Sequence, residues 1–191
     1  VIEAFKKVPR EKFIKKEHLE EAYGDYPLSI GEGQTISQPT TVMLMTEALE
    51  LEEGNKVLEV GSGSGYQAAI IANIVGEKGK VISTEIIDDL AKFAQENIKK
   101  LNLKNVKIIK HDGSKGYAKE APYDRIIVTA ACPKIPNSLK KQLKENGVIV
   151  APVGDLNEQV MIKARKKSGK LTEENLGHFM FVPLKGKYGH D

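Results

Sequence analysis

The sequence predicts an α/β fold: a mostly parallel, doubly wound sheet with antiparallel strands near the C-terminus and a helical and loop extension at the N-terminus. Short apolar runs alternate with helical patterns from residue 56 onward, which is typical of a parallel sheet covered by helices on both faces. Glycines separate the first run from the first helix, the usual place for a ligand-binding turn. Polar and apolar residues alternate from residue 158, as expected for antiparallel strands.

Composition sets the first limits on function. At 191 residues the chain is long enough for one domain with its own core, and no apolar run is long enough to span a bilayer. No secretory signal is visible, and the pattern at Val1 already looks helical, so we expect residues to precede it. The single cysteine excludes an internal disulfide framework and fits a reducing compartment. We therefore expect a cytoplasmic protein that is a monomer.

Charge and histidine placement argue against two further classes. The net charge is only +3, and no basic stripe with interleaved aromatic residues is present, so we expect no nucleic-acid partner. The four histidines are scattered and give no metal-ligand spacing, so we expect no metal site. The lysine blocks are interpreted as solvated faces of the protein.

The first 51 residues are predicted to form an extension that covers or completes a substrate site. A short helix is expected at 8–13, and a second helix follows Pro39 and runs to residue 51. The segment 25–41 contains several Gly, Pro, Ser and Thr residues and shows no clear period. Long irregular segments within a compact domain are usually functional.

The core is predicted at 52–155 and the C-terminal strands at 156–191, all within one domain with 1–51. The predicted strands are 57–60, 80–84, 106–109, 125–129, 147–151, 158–165 and 179–184. The predicted helices of the core are 65–75, a helix capped by Asp88 or Asp89 and running to about 101, and a helix that starts near Pro136 and ends before Gly147. A turn is expected at Ser168-Gly169. The ligand should lie beyond the carboxyl ends of the strands, where the strand order reverses.

The turn after the first strand contains Gly61, Gly63 and Gly65. Glycines let the backbone approach a ligand, and the helix that follows offers unpaired N–H groups to it. The spacing is G-x-G-x-G with Tyr66 next, which argues against a dinucleotide fingerprint of the form G-x-G-x-x-G. With Glu59 in front, the turn resembles the first motif of class I methyltransferases, which hold S-adenosylmethionine. A glycine turn without any ligand is the alternative.

Two acids follow the next two strands. Glu85 lies 24 residues after Gly61, where a carboxylate can accept hydrogen bonds from both hydroxyls of a ribose. The alternative is an exposed acid before a helix. Asp112 can accept from an adenine amino group, and Gly113 lets the backbone lie close to the ring. The alternative for Asp112 is an Asx turn at the strand end.

Two further side chains are ambiguous by local chemistry. Ser37 stands two residues before Pro39, a good first helical residue, so its neighbourhood favours a role at the helix cap. Cys132 is a conceivable nucleophile, but no histidine is tied to it by the sequence, which favours a small buried filler.

Taken together, the motifs identify a family. The matching segments are 8–13 (VPREKF), 27–39 (PLSIGEGQTISQP), 57–66 with Ser62 where Thr is more usual, 123–131 with 135–136, 152–154 and 181–184. In this order and over nearly the whole chain, they resemble the protein-L-isoaspartate O-methyltransferase family in its microbial or archaeal form. The segment 27–39 is the distinctive one, because class I methyltransferases in general do not share it.

The resemblance implies a class I S-adenosylmethionine-dependent methyltransferase with a Rossmann-like sheet. It implies methyl transfer from S-adenosylmethionine to the α-carboxylate of L-isoaspartyl residues in damaged proteins and peptides, with S-adenosylhomocysteine as product. The ester then collapses to a succinimide, whose hydrolysis regenerates some normal aspartyl bonds. The competing functions are a methyltransferase for RNA or a small molecule and a non-catalytic S-adenosylmethionine-binding module.

The resemblance also assigns residues. It makes Ser37 the active-site residue, which orients the acceptor carboxylate. The residues expected to bind the cofactor are Thr35, Ile36, Glu59, Gly61, Ser62, Gly63, Gly65, Tyr66, Glu85, Ile86, Asp112, Gly113 and Thr129. We also hypothesise that backbone groups at 182–184 hold the substrate peptide like an added strand.

Overall fold

The computed structural model describes residues 1–190, and its N-terminal part wraps one end of the central sheet. It comprises helix α1 (Ile2–Lys7), two short 3₁₀ turns (Arg10–Phe13 and Lys16–Glu21), strands β1 (Leu28–Gly31) and β2 (Gln34–Ile36), and helix α2 (Pro39–Ala48). The predicted helix after Pro39 is confirmed, and the one at 8–13 is a 3₁₀ turn. The antiparallel β1–β2 hairpin lies in the segment for which the sequence predicts no regular structure. Three consecutive residues at its turn have positive φ. This turn interrupts the alternation of polar and apolar residues that would otherwise mark two paired strands in the sequence.

One seven-stranded sheet forms the centre of the molecule. Its strands are β3 (Lys56–Val60), β4 (Lys80–Glu85), β5 (Val106–Lys110), β6 (Tyr123–Val128), β7 (Leu143–Gly154), β8 (Gln159–Lys167) and β9 (Lys170–Phe179). The order is β5-β4-β3-β6-β7-β8-β9, with parallel pairs as far as β7 and antiparallel pairs beyond it. This confirms the predicted class. The chain order reverses between β3 and β6, so a ligand crevice is expected at their carboxyl ends.

Helices cover both faces of the parallel part. They are α3 (Tyr66–Val75), α4 (Asp88–Lys100) and α5 (Asn137–Gln142). Neighbouring residues of β3 point into two different cores: Val57 packs in the cluster with α3 and α4, and Leu58 packs in the cluster with α5. The strands therefore read as continuous apolar runs, because neither face meets water.

The predicted last strand at 179–184 is wrong. The edge strand is β9, and its residues are mostly exposed, so they carry no apolar alternation that would mark them in the sequence. The apolar run after it instead passes beside Ala131. The N–H of Ala131 donates to the Val182 carbonyl at 2.8 Å, and the N–H of Leu184 donates to the Ala131 carbonyl at 2.7 Å.

Two smaller predictions about helix ends are also wrong. The cap position of α4 is Ile87, and Asp88 and Asp89 lie in the first turn, where their charges favour the positive end of the helix dipole. Helix α2 ends at Ala48 and not at residue 51. Helix α5 ends at Gln142, before Gly147 as predicted, and β7 begins at the next residue. Strand β6 ends at Val128, which leaves Thr129 just beyond the sheet.

Candidate functional site

A cleft of about 860 Å³, its open mouth included, lies at the carboxyl ends of β3, β4 and β6. The link from β2 to α2 and the segment 182–185 close its other side. The predicted site residues that line it are Thr35, Ile36, Ser37, Glu59, Gly61, Ser62, Gly63, Tyr66, Glu85, Ile86, Gly113 and Thr129. The lining does not include Gly65 or Asp112. The strand order thus brings together residues that are up to 94 positions apart in the sequence.

Thr129 holds the glycine turn from the neighbouring strand. Its hydroxyl donates to the Gly61 carbonyl at 2.6 Å, and a Cβ at Gly61 would lie 2.5 Å from that same oxygen. Gly61 also has a φ of +98°, a conformation that residues with a side chain rarely adopt. The first glycine is therefore required both by the backbone conformation and by the packing beneath the turn.

Gly65 acts at the helix start and not in the cleft lining. It is the cap residue of α3 with a φ of +87°, and a Cβ there would lie 3.4 Å from Ala94 of helix α4. The N–H groups of the first turn of α3 point away from the helix body and have no partner within it. They face the same end of the sheet as the cleft, where a helix N-terminus favours polar or anionic ligand groups.

Glu85 is buried at the end of β4 and is already a double acceptor. Its Oε2 accepts from the N–H of Gly63 at 2.9 Å, and its Oε1 accepts from the N–H of Ile87 at 3.0 Å. Each carboxylate oxygen can accept a second hydrogen bond. Both oxygens therefore retain capacity for one hydroxyl each, which fits the predicted pairing with a ribose. The alternative of an exposed acid is wrong, since Glu85 is only 6% exposed.

Glu59 is fully buried in the floor of the cleft. The hydroxyl of Ser83 donates to its Oε2 and lies 2.6 Å from the hydroxyl of Ser62, whereas Oε1 has no hydrogen-bond partner. Burial is the main reason that the pKa of Glu59 is raised to about 8, and the charge of Glu85 raises it further. An unpartnered buried oxygen beside a cleft is unusual and fits a site that receives a polar ligand group.

Asp112 lies beside the cleft with its carboxylate fully engaged. Oδ1 accepts from the N–H and the hydroxyl of Ser114 at 3.1 and 2.6 Å. Oδ2 accepts from the N–H of Lys187 at 3.0 Å and from the ammonium of Lys115 at 3.2 Å. The bond to the Ser114 N–H is the Asx turn of the alternative reading. The adenine contact stays a prediction, and it requires one of these four partners to leave.

Gly113 is explained by the sheet below it. A Cβ at this position would lie 2.4 Å from Oγ1 of Thr84 and 2.7 Å from Cγ1 of Val60. The residue is buried and lines the cleft, so the absence of a side chain brings the backbone down onto the strands. Its predicted contact with the cofactor ring stays a prediction.

Ser37 is half-buried in the wall opposite the glycine turn. The cap position of α2 is Gln38, and the side-chain bonds to the helix start come from Asp25, whose carboxylate accepts from the N–H and the hydroxyl of Thr40 at 2.9 and 2.7 Å. The cap interpretation of Ser37 is therefore wrong. Its carbonyl accepts a hydrogen bond from Arg10 at 3.1 Å.

Sequence reasoning missed Arg10 and Asp25. Both act across the irregular N-terminal segment, 27 and 15 residues from their partners, so no local spacing reveals them. The only signal was that Arg10 stands within the family motif at 8–13. Tyr66, predicted as a cofactor residue, also packs into this region, with its ring centre 5.3 Å from that of Phe13.

Cys132 is confirmed as a buried filler. It is fully buried, its Sγ lies 3.3 Å from the Pro152 carbonyl, and burial raises the pKa of the thiol to about 12. Such a thiol stays protonated near neutral pH and is a poor nucleophile. Within residues 1–190, no three His, Cys, Asp or Glu side chains are placed to hold a metal ion. None of the helices described there is long and apolar enough to cross a membrane.

Known proteins are similar to this chain in sequence and in fold. The family model for protein-L-isoaspartate(D-aspartate) O-methyltransferase matches residues 1–189. Over 189 residues the chain is 53% identical to protein-L-isoaspartate O-methyltransferase 2 of Archaeoglobus fulgidus, covering 99% of this chain and 86% of that protein. It is 51% identical to the protein-L-isoaspartate O-methyltransferase of Methanococcus aeolicus, with 99% and 87% coverage.

Two solved structures extend the similarity to three dimensions. One, a protein-L-isoaspartate O-methyltransferase, superposes with a TM-score of 0.91 at 34% identity and covers 97% of this chain, which spans 61% of that solved chain. The other is a Plasmodium falciparum protein described as a protein-L-isoaspartate O-methyltransferase in complex with S-adenosyl-L-homocysteine. It gives a TM-score of 0.86 at 32% identity, with 96% and 88% coverage.

Proposed function

The chain belongs to the protein-L-isoaspartate(D-aspartate) O-methyltransferase family, and from this premise we propose how its residues divide the work of catalysis. It is an S-adenosylmethionine-dependent enzyme that methylates isoaspartyl residues in damaged proteins, the step that begins their repair through a succinimide. The function expected from the sequence is confirmed, and the alternatives of an RNA or small-molecule methyltransferase and of a non-catalytic binding module are set aside.

The residues at the carboxyl ends of β3 and β4 are proposed to hold the cofactor. S-adenosylmethionine, when bound, supplies the methyl group. The remaining acceptor capacity of Glu85 fits a ribose, and the unpartnered Oε1 of Glu59 fits a second polar group. The N–H groups of Gly61, Ser62, Gly63 and Gly65 already donate within the protein, so the N–H donors for the cofactor come from the start of α3. The proposed set also includes Thr35, Ile36, Ser62, Ile86 and Thr129, which line the same cleft.

Ser37 is proposed to orient the acceptor carboxylate from the opposite wall. A free carboxyl group ionises near pH 4, so at neutral pH the acceptor needs no general base. The Ser37 hydroxyl donates to one carboxylate oxygen and leaves the other aimed into the cleft. The chain then contributes positioning and exclusion of water, and well-held geometry is worth roughly 7 to 11 kcal/mol in favourable cases.

We propose that the segment 182–185 contacts the substrate peptide. It lines the cleft together with Ser37, and its inner edge is fixed by the two hydrogen bonds to Ala131. Pro183 has no N–H, so an added strand would find a carbonyl acceptor there but no donor. We therefore propose that the substrate backbone makes fewer hydrogen bonds to this segment than a fully paired added strand would make.

We propose that residues 1–51 serve as the acceptor-side extension, the core 52–155 as the cofactor side and residues 156–191 as the closing strands of one domain. We further propose a cytoplasmic monomer that acts on proteins and not on nucleic acids. The net charge of only +3 and the single, buried cysteine support this view.

The observation that supports these proposed roles in acceptor and cofactor binding is that Ser37, Glu85 and the glycine turn line one cleft. Incubation with methyl-labelled cofactor and two peptides of one sequence, with an isoaspartyl or an aspartyl residue at one position, tests it. We expect label on the isoaspartyl peptide alone. Equal labelling of the two peptides, or none, would contradict the proposal.

A further inference from the structure

Arg10 is a buried cation whose function the cofactor site does not explain. Its side chain is 0% exposed, and its guanidinium donates to three backbone carbonyls. These belong to Ala22, to Tyr26 at 3.3 Å and to Ser37 at 3.1 Å. Burying a charge is expensive unless hydrogen bonds compensate it, and Nε of Arg10 has no hydrogen-bond partner, so the three carbonyl contacts offset the cost of burial.

The three carbonyls come from three successive parts of the N-terminal wall. Ala22 ends the second 3₁₀ turn, Tyr26 precedes β1, and Ser37 lies in the link from β2 to α2. One planar fork therefore ties the end of the second 3₁₀ turn to the open end of the β1–β2 hairpin, where Tyr26 and Ser37 lie just beyond the paired residues Leu28 and Ile36. The geometry needs the spread of guanidinium donors, because one ammonium group cannot match three separated carbonyls as well.

A second anchor lies three residues after Ser37, where the Asp25 carboxylate accepts two hydrogen bonds from Thr40. Burial lowers the pKa of Arg10, and the charge of the Asp25 carboxylate opposes that shift. The oxygens of Asp25 are nevertheless bonded to the start of α2 and not to Arg10. Arg10 and Asp25 thus fix the chain at the Ser37 carbonyl and again at Thr40.

We propose that Arg10 is a positioning residue for methyl transfer: through the Ser37 carbonyl, and with Asp25 as the second anchor, it sets where the Ser37 hydroxyl meets the acceptor carboxylate. The inference rests on the proposed role of Ser37. The glycine turn is held by other groups, Thr129 and Glu85, so this part of the cofactor side does not depend on Arg10. Arg10 acts mainly on peptide turnover and changes cofactor binding little.

The test compares Arg10→Lys with Arg125→Lys. Arg125 is a matched control because it also donates to backbone carbonyls, those of Leu49 at 2.7 Å and Glu50 at 2.8 Å, but neither of these residues lines the cleft, whereas Ser37 does. We expect Arg10→Lys to lower kcat/KM for an isoaspartyl peptide about tenfold, with the calorimetric dissociation constant for S-adenosylhomocysteine changed less than about twofold. Arg125→Lys should lower thermal stability without this kinetic loss. Parallel behaviour of the two variants would overturn the proposal.

A double-mutant cycle with Ser37→Ala separates positioning from a merely structural role. If Arg10 acts through Ser37, Arg10→Lys should cost less than about threefold in the Ser37→Ala background, because the group that it positions is gone. Losses that multiply would overturn the proposal. Full turnover in Ser37→Ala alone would instead refute the role of Ser37, so the two failures are distinguishable.

Asp25→Ala keeps the proposal testable if Arg10→Lys does not fold. Asp25 lies on the surface, so its removal leaves no buried group unpaired. We expect the same signature at smaller size: a lower kcat/KM for the peptide and an unchanged dissociation constant for S-adenosylhomocysteine. An Asp25→Ala enzyme with wild-type peptide kinetics would contradict the second anchor.

Discussion

The backbone N–H of Gly63 donates a hydrogen bond to Oε2 of Glu85 across 2.9 Å. The same carboxylate accepts from the N–H of Ile87, so a single acid joins the glycine turn after β3 to the start of α4. Both loops border the cofactor side of the cleft. Glu85 therefore shapes the site in addition to offering acceptors to a ligand, and its removal should weaken both.

For Glu85→Ala we expect a rise in the dissociation constant of S-adenosylhomocysteine and in the cofactor KM. Hydrogen bonds to a charged group are worth about 1.5–3 kcal/mol, which corresponds to roughly 10- to 150-fold. The ribose contacts are present in the ground state and the transition state alike, so kcat at saturating cofactor should change little. Isothermal titration calorimetry and initial rates measure the two quantities.

Glu85→Gln is the matched control for this change. Its amide oxygen can still accept from one backbone N–H, so the loss should be smaller than in Glu85→Ala. Circular dichroism should show that both variants are folded. Unchanged cofactor affinity in a folded Glu85→Ala enzyme would rule out the ribose contact.

Ser37→Ala should lower kcat with little effect on cofactor binding. The hydroxyl orients the acceptor and makes no proposed contact with the cofactor, so its loss should reduce turnover by about 10- to 100-fold. The measurement is kcat for an isoaspartyl peptide at saturating cofactor, beside the calorimetric dissociation constant for S-adenosylhomocysteine. Ser37→Thr, which keeps the hydroxyl, should retain more activity. An unchanged kcat in Ser37→Ala would refute the orienting role.

Much of the fold is predictable because its signals are local. The parallel strands are buried on both faces, so Val57 and Leu58 read as one apolar run although they enter different cores. The hairpin β1–β2 and the edge strand β9 are not predictable in this way. The hairpin is short and has an irregular register, and β9 is mostly exposed, so neither produces a clear period.

The candidate site likewise has one part that is predictable from the sequence and one part that is not. Glu85 and the glycine turn follow strands directly, so the topology alone brings them to one edge of the sheet. The environment of Ser37 depends on Arg10 and Asp25, whose contacts cross the irregular N-terminal wall. The local chemistry of Ser37 indicated a helix cap, and only the resemblance to a family indicated the active site. Long-range contacts of this kind leave no spacing in the sequence.

Asp112 gives a prediction that decides between its two interpretations. Its four hydrogen-bond partners fill the capacity of the carboxylate, so an adenine contact requires a partner such as the Lys187 N–H to be released. If the contact forms, wild-type enzyme should bind S-adenosylhomocysteine about tenfold more tightly than its inosine analogue, which lacks the amino group, and Asp112→Ala, which removes both acceptor oxygens, should lose most of this preference. A preference that Asp112→Ala retains in full would leave the Asx turn as the explanation of Asp112.

Glu59 should make the stability of the cofactor-free enzyme fall as the pH rises. Burial raises its pKa from 4.5 to about 8, so between these values the folded state holds a proton that the unfolded state has released. The contribution of Glu59 to the free energy of unfolding is then greatest below pH 4.5 and decreases until the pH passes about 8, with a slope of at most about 1.4 kcal/mol per pH unit.

Urea denaturation at pH 5, 6, 7 and 8 measures this slope. Glu59→Gln cannot ionise, so its free energy of unfolding should decrease less over the same range. Glu50→Gln is a control of opposite sign: Lys163 and Arg165 lower the pKa of Glu50 to about 2, so its stabilising effect is present above pH 4.5 and is lost only as the pH falls towards 2. Glu50→Gln should therefore keep the wild-type slope between pH 5 and 8. If the Glu59→Gln curve runs parallel to the wild-type curve, Glu59 is ionised in the folded protein across this range.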